Sequence, residues 1–185
     1  MSFIQNFDNQ IILFLNSLGS NVIIDNIMKF ISFLGNKGWF YIVVGLVMIM
    51  FIKRYPYIGR WGLILLFSLL ISTIIVNVLI KPIIQRDRPF DTLLLDLIIN
   101  RPNDYSFPSG HTTAAFGAAI VFLYINKKIG YIMLIFAIFM GFSRMYLLVH
   151  YFTDVLFGAL IGSIISIIVC KFYIKSKYYD KKSVD

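Results

Sequence analysis

The chain has 185 residues and a net charge of +8, with 59% hydrophobic residues and only 14% charged ones. Soluble domains carry roughly 25% charged residues, and disordered chains combine low hydrophobicity with high charge, so the composition excludes both classes. It predicts a small integral membrane protein with one domain over residues 1–185, and its basic excess suits nucleic acid, anionic lipid or a phosphate-bearing substrate as a partner.

The first 36 residues predict two amphipathic helices at the membrane interface. Apolar runs at 11–18 and 22–34 contain polar residues such as Asp25 and Lys29, and hydrophobic residues recur at helical spacing. This pattern is typical of helices that lie in the interface. One additional membrane span is the alternative interpretation.

Residues 37–175 predict a helical bundle that carries the function. A spanning helix needs about 20 mostly apolar residues, and four stretches meet this requirement: 58–81, 109–125, 129–149 and 154–174. A fifth stretch, 38–52, is shorter but strongly apolar. The expected fold is all-α, an integral membrane bundle of five or six transmembrane helices with N-terminal amphipathic helices. A basic cytoplasmic tail is expected at 176–185. The small residues Gly158 and Gly162 are expected to pack helices within the chain.

Counting spans sorts the polar residues between the two membrane faces. The helix that ends near Lys81, the long connection 82–108 and the next helix start share one face, here called the near face. The residues that gather there are Lys81, Arg88, Ser109, His111, Arg144, His150 and Asp154. A larger basic set lies on the opposite face, and the positive-inside rule places that face in the cytoplasm. The near-face cluster is therefore expected outside the cell.

Two near-face segments suit an anion. The first runs from Lys81 to Pro89 and contains two cations, Lys81 and Arg88, which either snorkel to the interface or grip phosphate oxygens. The second segment, Pro108 to His111, opens a helix. Ser109 is either a plain N-cap or part of a phosphate site at the helix N-terminus, where Gly110 permits close backbone approach.

The third segment runs from Ser143 to Asp154. Arg144 lies within an apolar helix, where a charge costs at least about 2.5 to 3.5 kcal/mol, and structural pairing with Asp154 is one explanation. His150 and Asp154 are four residues apart and share a face if the chain is helical there. The carboxylate would then take the Nδ1 proton and leave Nε2 as a base or nucleophile.

A metal site is the competing interpretation of this cluster. His111, His150 and Asp154 are all potential ligands. The neighbouring cations Lys81, Arg88 and Arg144 would repel a divalent metal ion and favour an anion instead. We therefore expect neither a metal nor another cofactor.

The three segments resemble the signature of the type 2 phosphatidic acid phosphatase family, relatives of the vanadium haloperoxidases. KxxxxxxRP, PSGH and SRxxxxxHxxxD are matched in order and spacing by KPIIQRDRP, PSGH and SRMYLLVHYFTD. The resemblance implies that His150 attacks phosphorus to form a phosphohistidine, that Asp154 orients His150, and that His111 protonates the leaving oxygen and then activates water. It also implies a metal-independent mechanism with these phosphate-binding residues: Lys81, Arg88, Ser109, Gly110 and Arg144.

The resemblance implies a multi-pass hydrolase of the plasma membrane that removes phosphate from a lipid phosphate or diphosphate. Undecaprenyl diphosphate, the carrier lipid of bacterial wall synthesis, is the expected substrate, and phosphatidylglycerophosphate or phosphatidate is the alternative. A non-catalytic lipid-binding or transport protein would be expected to lose His111, His150 or Asp154. Nucleic acid is not expected as a partner, because topology explains the basic residues. The sequence does not indicate an oligomeric state.

Overall fold

The computed structural model describes residues 3–182, with side chains for residues 3–176, and this part of the chain is helical without strands. Nine α-helices are present within that range: α1 Phe3–Ser17, α2 Val22–Leu34, α3 Trp39–Met50, α4 Pro56–Thr73, α5 Lys81–Ile84, α6 Pro89–Thr92, α7 Gly110–Ile125, α8 Lys127–Tyr146 and α9 Phe152–Lys182. The all-α fold is confirmed. The side chains of the predicted basic tail beyond residue 176 lie outside the described residues.

Three helical stretches within the described residues are long and apolar enough to cross a membrane: Pro56–Thr92, Lys127–Tyr146 and Phe152–Ser176. The helices α2 and α3 would make a fourth span if their 43° bend lies within one crossing. The apolar helix α7 has 16 residues, slightly short of a full span. The chain is thus a helical membrane protein, and the exact number of five or six spans stays a prediction.

The helices α1 and α2 are amphipathic, and their polar sides face the protein. Asp8, Asp25 and Ser32 are buried, whereas Phe14 and Ile23 are exposed. Exposed apolar side chains on a membrane protein suit contact with lipid, and buried polar groups require partners within the protein. Both helices therefore bring polar side chains to the bundle. Whether they lie in the interface or cross the membrane stays a prediction.

Helix α7 packs against α4, α8 and α9 at the centre of the bundle. Close approach to α9 depends on small residues. A Cβ atom at Gly162 would lie 2.1 Å from the carbonyl oxygen of Thr113, and one at Gly158 would lie 2.7 Å from that of Ser109. The prediction that the small residues of the last helix pack within the chain is confirmed. This packing joins the starts of α7 and α9.

A π-helical segment, Ile74–Ile80, connects α4 to α5. Such segments are rare and occur frequently at functional sites. It leads directly into Lys81, which is buried, and the residue after α5, Gln85, has a left-handed φ of 48°. The chain therefore turns sharply after α5 and carries Arg86 and Arg88 back toward the bundle.

Candidate active site

A cavity of about 880 Å³ lies where the near-face ends of α5, α7 and α8 meet. Six predicted site residues line it: Lys81, Arg88, Gly110, His111, Arg144 and His150. The other two, Ser109 and Asp154, are fully buried beside the cavity. Helix counting predicts seven of these residues, all except Gly110, on one face, and the structure brings all eight together.

His150 lies in the turn before α9, and Asp154 lies in the first turn of that helix. Their Nδ1 and Oδ2 atoms are 3.6 Å apart. The hydroxyl of Ser106 donates to Asp154 Oδ2 at 2.5 Å and lies 3.5 Å from His150 Nδ1. The backbone N–H of Tyr151 also donates to Asp154 Oδ2, at 2.8 Å. The carboxylate is therefore fixed beside the imidazole, although His150 itself is not helical.

Arg86 holds the other side of the Asp154 carboxylate. Its Nη1 atom donates to Asp154 Oδ1 at 2.6 Å, and its Nη2 atom donates to Asp8 Oδ2 at 2.7 Å. Asp8 also accepts the N–H of Thr153 at 3.0 Å, near the N-terminus of α9. The N-terminal helix α1 is thereby tied to the same carboxylate that contacts His150.

Arg144 does not pair with Asp154, so that structural explanation for its charge is wrong. Its Nη1 atom instead donates to the hydroxyl of Ser32 on α2. Its Nε atom is buried and has no hydrogen-bond partner among the described residues. Arg86, from the long connection, occupies the position beside Asp154 instead. Arg144 is left with donor capacity next to the cavity.

Lys81 and Arg88 share one carboxylate, that of Asp104. Lys81 Nζ contacts Asp104 Oδ2, and Arg88 Nη2 donates to Asp104 Oδ1 at 2.7 Å. Arg88 also donates from Nη1 to the carbonyl of Val149 at 2.6 Å, and this atom lies 3.3 Å from His150 Nε2. Although partial burial opposes it, hydrogen bonding and attraction from Lys81 and Arg88 lower the pKa of Asp104 to about 2. The two cations thus form a clamp that holds an anion next to His150.

Helix α7 begins at this clamp. Ser109 is its N-cap, and its hydroxyl accepts hydrogen bonds from the N–H and hydroxyl of Thr112 at 3.4 and 2.9 Å. A Cβ atom at Gly110 would meet nothing closer than Asn77 Oδ1, at 3.6 Å. Glycine there leaves space in the cavity and is not required to avoid a clash. The N-cap interpretation of Ser109 is confirmed, and its own hydroxyl hydrogen is not used in either contact.

His111 stands one residue further along α7, on the cavity wall. Its Nε2 atom is buried and has no hydrogen-bond partner among the described residues. Gly35, at the end of α2, packs against its ring, since a Cβ atom there would lie 2.6 Å from His111 Cδ2. Buried polar atoms normally have partners, so His111 Nε2 is available for a ligand.

The charge state of His150 follows from its surroundings. Burial, and then repulsion from Arg88, Arg144 and Lys81, lowers the pKa of this imidazole well below 6.5. A buried histidine among cations is disfavoured in its charged form. At neutral pH His150 is therefore the neutral imidazole, which has a lone pair available for attack.

Sequence reasoning missed several residues of the site. Arg86 and Asp104 are close in sequence to recognised residues, but their pairings join segments that are distant along the chain. Asp8 carried a signal, because an acidic residue in an apolar helix needs a partner. Ser106 and Ser32 carried none, since small hydroxyl residues are common in membrane helices and loops.

The chain resembles known proteins over most of its length. The model of the PAP2 superfamily matches residues 61–178. The chain is 36% identical to the undecaprenyl-diphosphatase BcrC of Bacillus subtilis (strain 168) over 102 residues, which are 55% of this chain and 53% of that protein. The alignment therefore spans about half of that relative. An undecaprenyl-diphosphatase of Sulfolobus acidocaldarius is 30% identical over 145 residues, which are 77% of this chain and 68% of that protein.

A solved structure also resembles this fold. It is the crystal structure of a transmembrane PAP2 type phosphatidylglycerolphosphate phosphatase from Bacillus subtilis. The TM-score is 0.77 at 27% identity, and the match covers 95% of this chain and 88% of that one. Because the structural match covers 95% of this chain, the similarity extends beyond the three motifs to the N-terminal helices.

Proposed function

The chain belongs to the PAP2 superfamily, and we propose that it is an integral membrane lipid phosphatase that acts through a phosphohistidine intermediate. One observation carries the proposal. A single cavity brings a neutral, carboxylate-supported His150 together with the cations Lys81, Arg88 and Arg144. Phosphoryl transfer depends mainly on positioning and charge stabilisation, and this set of side chains supplies both.

Substrate binding would begin with an exchange of anions. The phosphoryl group takes the place of the Asp104 carboxylate between Lys81 and Arg88, because its charge is larger and it presents more acceptor oxygens. Asp104 can move aside, since its side chain is 54% exposed. Arg144 Nε and the hydroxyl hydrogen of Ser109 then gain acceptors, and the Gly110 N–H contributes from the start of α7.

Attack and release follow from the two histidines. The Nε2 lone pair of His150 forms a bond to phosphorus as the bond from phosphorus to the leaving oxygen breaks. The leaving oxygen takes a proton from Nε2 of His111, whose imidazolium form is favoured by the negative charge of the bound phosphoryl group. Asp154 stabilises the positive charge that develops on His150. His111 then takes a proton from a water molecule, whose oxygen bonds to phosphorus as the N–P bond breaks. The electron pair of that bond returns to His150 Nε2, and inorganic phosphate is released. No step in this sequence requires a metal ion or another cofactor.

Undecaprenyl diphosphate is the proposed substrate. Both curated relatives described above are named undecaprenyl-diphosphatases, and a lipid diphosphate released at the outer face suits a site there. Phosphatidylglycerophosphate is the second candidate, because the solved structure with 95% coverage of this chain is a phosphatidylglycerolphosphate phosphatase. The proposed location is the plasma membrane, with the near face outside, where fewer basic residues lie.

The activity is tested with the full chain purified in detergent. Phosphate release is measured from undecaprenyl diphosphate, phosphatidylglycerophosphate and phosphatidate, with a chelator present. We expect turnover of at least one lipid, and essentially none for His150→Ala. The Lys127→Gln variant, changed at the opposite face, serves as a matched control. Absence of turnover with all three lipids would contradict the proposal.

Orientation needs a separate experiment. Arg101 lies in the near-face connection, and its side chain is 64% exposed. A cysteine at this position in a Cys170→Ser background should react with a membrane-impermeant maleimide in intact cells. Labelling that requires permeabilised cells would reverse the proposed topology.

A further inference from the structure

The cavity extends beyond the eight predicted residues toward α2 and the turn that follows it. Lys29, Asn36 and Lys37 line this part of the same cavity. None of the three belongs to the motifs that carry the family resemblance. Two cations and an amide are therefore found at the mouth of a site whose floor is already cationic.

This wall lies on the side of the site where the leaving group would be. Ser32, three residues after Lys29, accepts a hydrogen bond from Arg144. Gly35, two residues before Lys37, packs against the ring of His111. Because His111 is the proposed acid for the leaving oxygen, the segment from Lys29 to Lys37 borders the atoms that depart after attack. A substrate group attached to that oxygen would meet this segment.

Neither of the two lysines forms a salt bridge within the described side chains. Asp25, one helical turn before Lys29, is the neighbouring carboxylate. It is already bound by the hydroxyls of Ser20 at 2.5 Å and Tyr146 at 2.6 Å. Lys81 and Arg88, by contrast, share the Asp104 carboxylate. Asp25 therefore offsets part of the Lys29 charge, but within the described side chains neither lysine is held in an ion pair as Lys81 and Arg88 are.

We propose that Lys29 and Lys37 bind the second phosphate of a lipid diphosphate, the one that leaves attached to the lipid. The inference rests on the proposed phosphatase function and adds a specificity determinant to it. When the His150–phosphorus bond forms, the bridging P–O bond breaks and its electron pair stays on the bridging oxygen. That oxygen takes the His111 proton, and the lipid monophosphate departs. The two ammonium groups stabilise the negative charge of that leaving phosphate.

The proposal predicts discrimination between two lipids with the same hydrocarbon chain. The Lys29→Gln, Lys37→Gln double variant should lose about ten- to a hundred-fold in kcat/KM for the prenyl diphosphate relative to the prenyl monophosphate. Lys127→Gln, Lys128→Gln is the matched control, because these exposed lysines lie at the opposite face, and it should leave both values unchanged. Equal losses for the two lipids, or no loss for the diphosphate, would overturn the proposal.

Bulk anionic lipid is the other source of phosphate groups, and a vesicle experiment distinguishes it. Activity is compared in vesicles of phosphatidylcholine and in vesicles that also contain phosphatidylglycerol. Our proposal requires the diphosphate-specific loss in both. A loss that appears only with phosphatidylglycerol, and equally for both substrates, would mean that the lysines bind the membrane surface and would refute the substrate subsite.

Binding measurements keep this inference separate from the catalytic proposal. In the His150→Ala background, equilibrium binding of the two prenyl lipids needs no turnover. The lysine double variant should weaken binding of the diphosphate at least ten-fold more than binding of the monophosphate. If the wild-type chain hydrolyses none of the lipids tested, the catalytic proposal fails, and this binding measurement still decides whether the two lysines form the subsite.

Discussion

Removing the guanidinium of Arg86 should destabilise the protein far more than removing an exposed charge. The carboxylates of Asp8 and Asp154 have no exposed surface, and Arg86 is 17% exposed while pairing with both. Loss of one partner from a buried ion pair costs about 3 to 5 kcal/mol, because a buried charge is left unpaired. The lower end applies here, since Thr153, Ser106 and Tyr151 still donate to the carboxylates.

We therefore expect Arg86→Met to lower the free energy of unfolding by about 3 kcal/mol. For a chain of this size, each kcal/mol shifts Tm by roughly 2 to 4 °C, so Tm should fall by about 6 to 12 °C. Thermal unfolding in detergent, followed by tryptophan fluorescence, measures the shift. Arg101→Met is the control, because Arg101 pairs with Asp91 at 3.4 Å on the surface, where a pair contributes about 0 to 1 kcal/mol.

A double-mutant cycle with Asp8→Asn tests whether the pair itself is responsible. Asparagine still accepts the N–H of Thr153, so this variant mainly removes charge. In the Arg86→Met background, Asp8→Asn should cost at least about 1 kcal/mol less than it does alone, because it relieves an unpaired carboxylate. Strictly additive effects, or a Tm for Arg86→Met within 2 °C of wild type, would refute the reasoning.

Three further predictions concern the clamp, the nucleophile and the helix packing. Asp104→Asn should make inorganic phosphate a several-fold tighter inhibitor, because the two cations lose their internal counter-ion, and weaker inhibition would contradict the anion exchange. The acidic limb of the kcat/KM pH profile should lie below pH 6.5, since the lowered pKa of His150 keeps the imidazole neutral at higher pH. In Arg88→Gln the limb should move to higher pH, because repulsion from Arg88 helps to lower this pKa. A wild-type limb above pH 6.5 would refute the burial argument. Gly162→Ala should destabilise the fold by about 1 to 3 kcal/mol and lower activity, because its Cβ would lie 2.1 Å from Thr113 O; unchanged thermal unfolding would contradict this packing.

The sequence was sufficient to place the recognised residues because they stand at helix ends. Counting apolar spans puts Lys81, Ser109 and Asp154 on one face without any knowledge of packing. The secondary structure at His150 could not be predicted from the sequence. The four-residue spacing suggests that His150 and Asp154 lie on one helix, but His150 lies in the turn before α9 and still contacts Asp154. Contacts such as Asp8–Arg86 and Arg144–Ser32 join segments 78 and 112 residues apart. No local periodicity encodes such pairings.

The orientation of α1 and α2 is another feature that the sequence pattern alone does not predict. Their apolar spacing predicts an amphipathic helix correctly, but spacing does not reveal which side meets the protein. In a soluble protein the apolar side would be buried. Here Asp25 accepts hydrogen bonds from Ser20 and Tyr146, while Ile23 remains exposed. In a lipid environment the apolar side faces outward and the polar side faces the protein, which is the opposite of the arrangement in water. The spacing of apolar residues within the helix does not distinguish these two arrangements.

Because of the π-helical segment Ile74–Ile80, the geometry of the site depends on the number of residues in this segment and not only on their side chains. A π-helical turn accommodates an additional residue compared with an α-helical one. Deleting one residue there would return these turns to α-helical winding and change which residues of the segment face the cavity, since consecutive residues are offset by about 100° around the helix axis. Asn77, which lines the cavity beside Gly110, would then be displaced, although every motif residue would still be present.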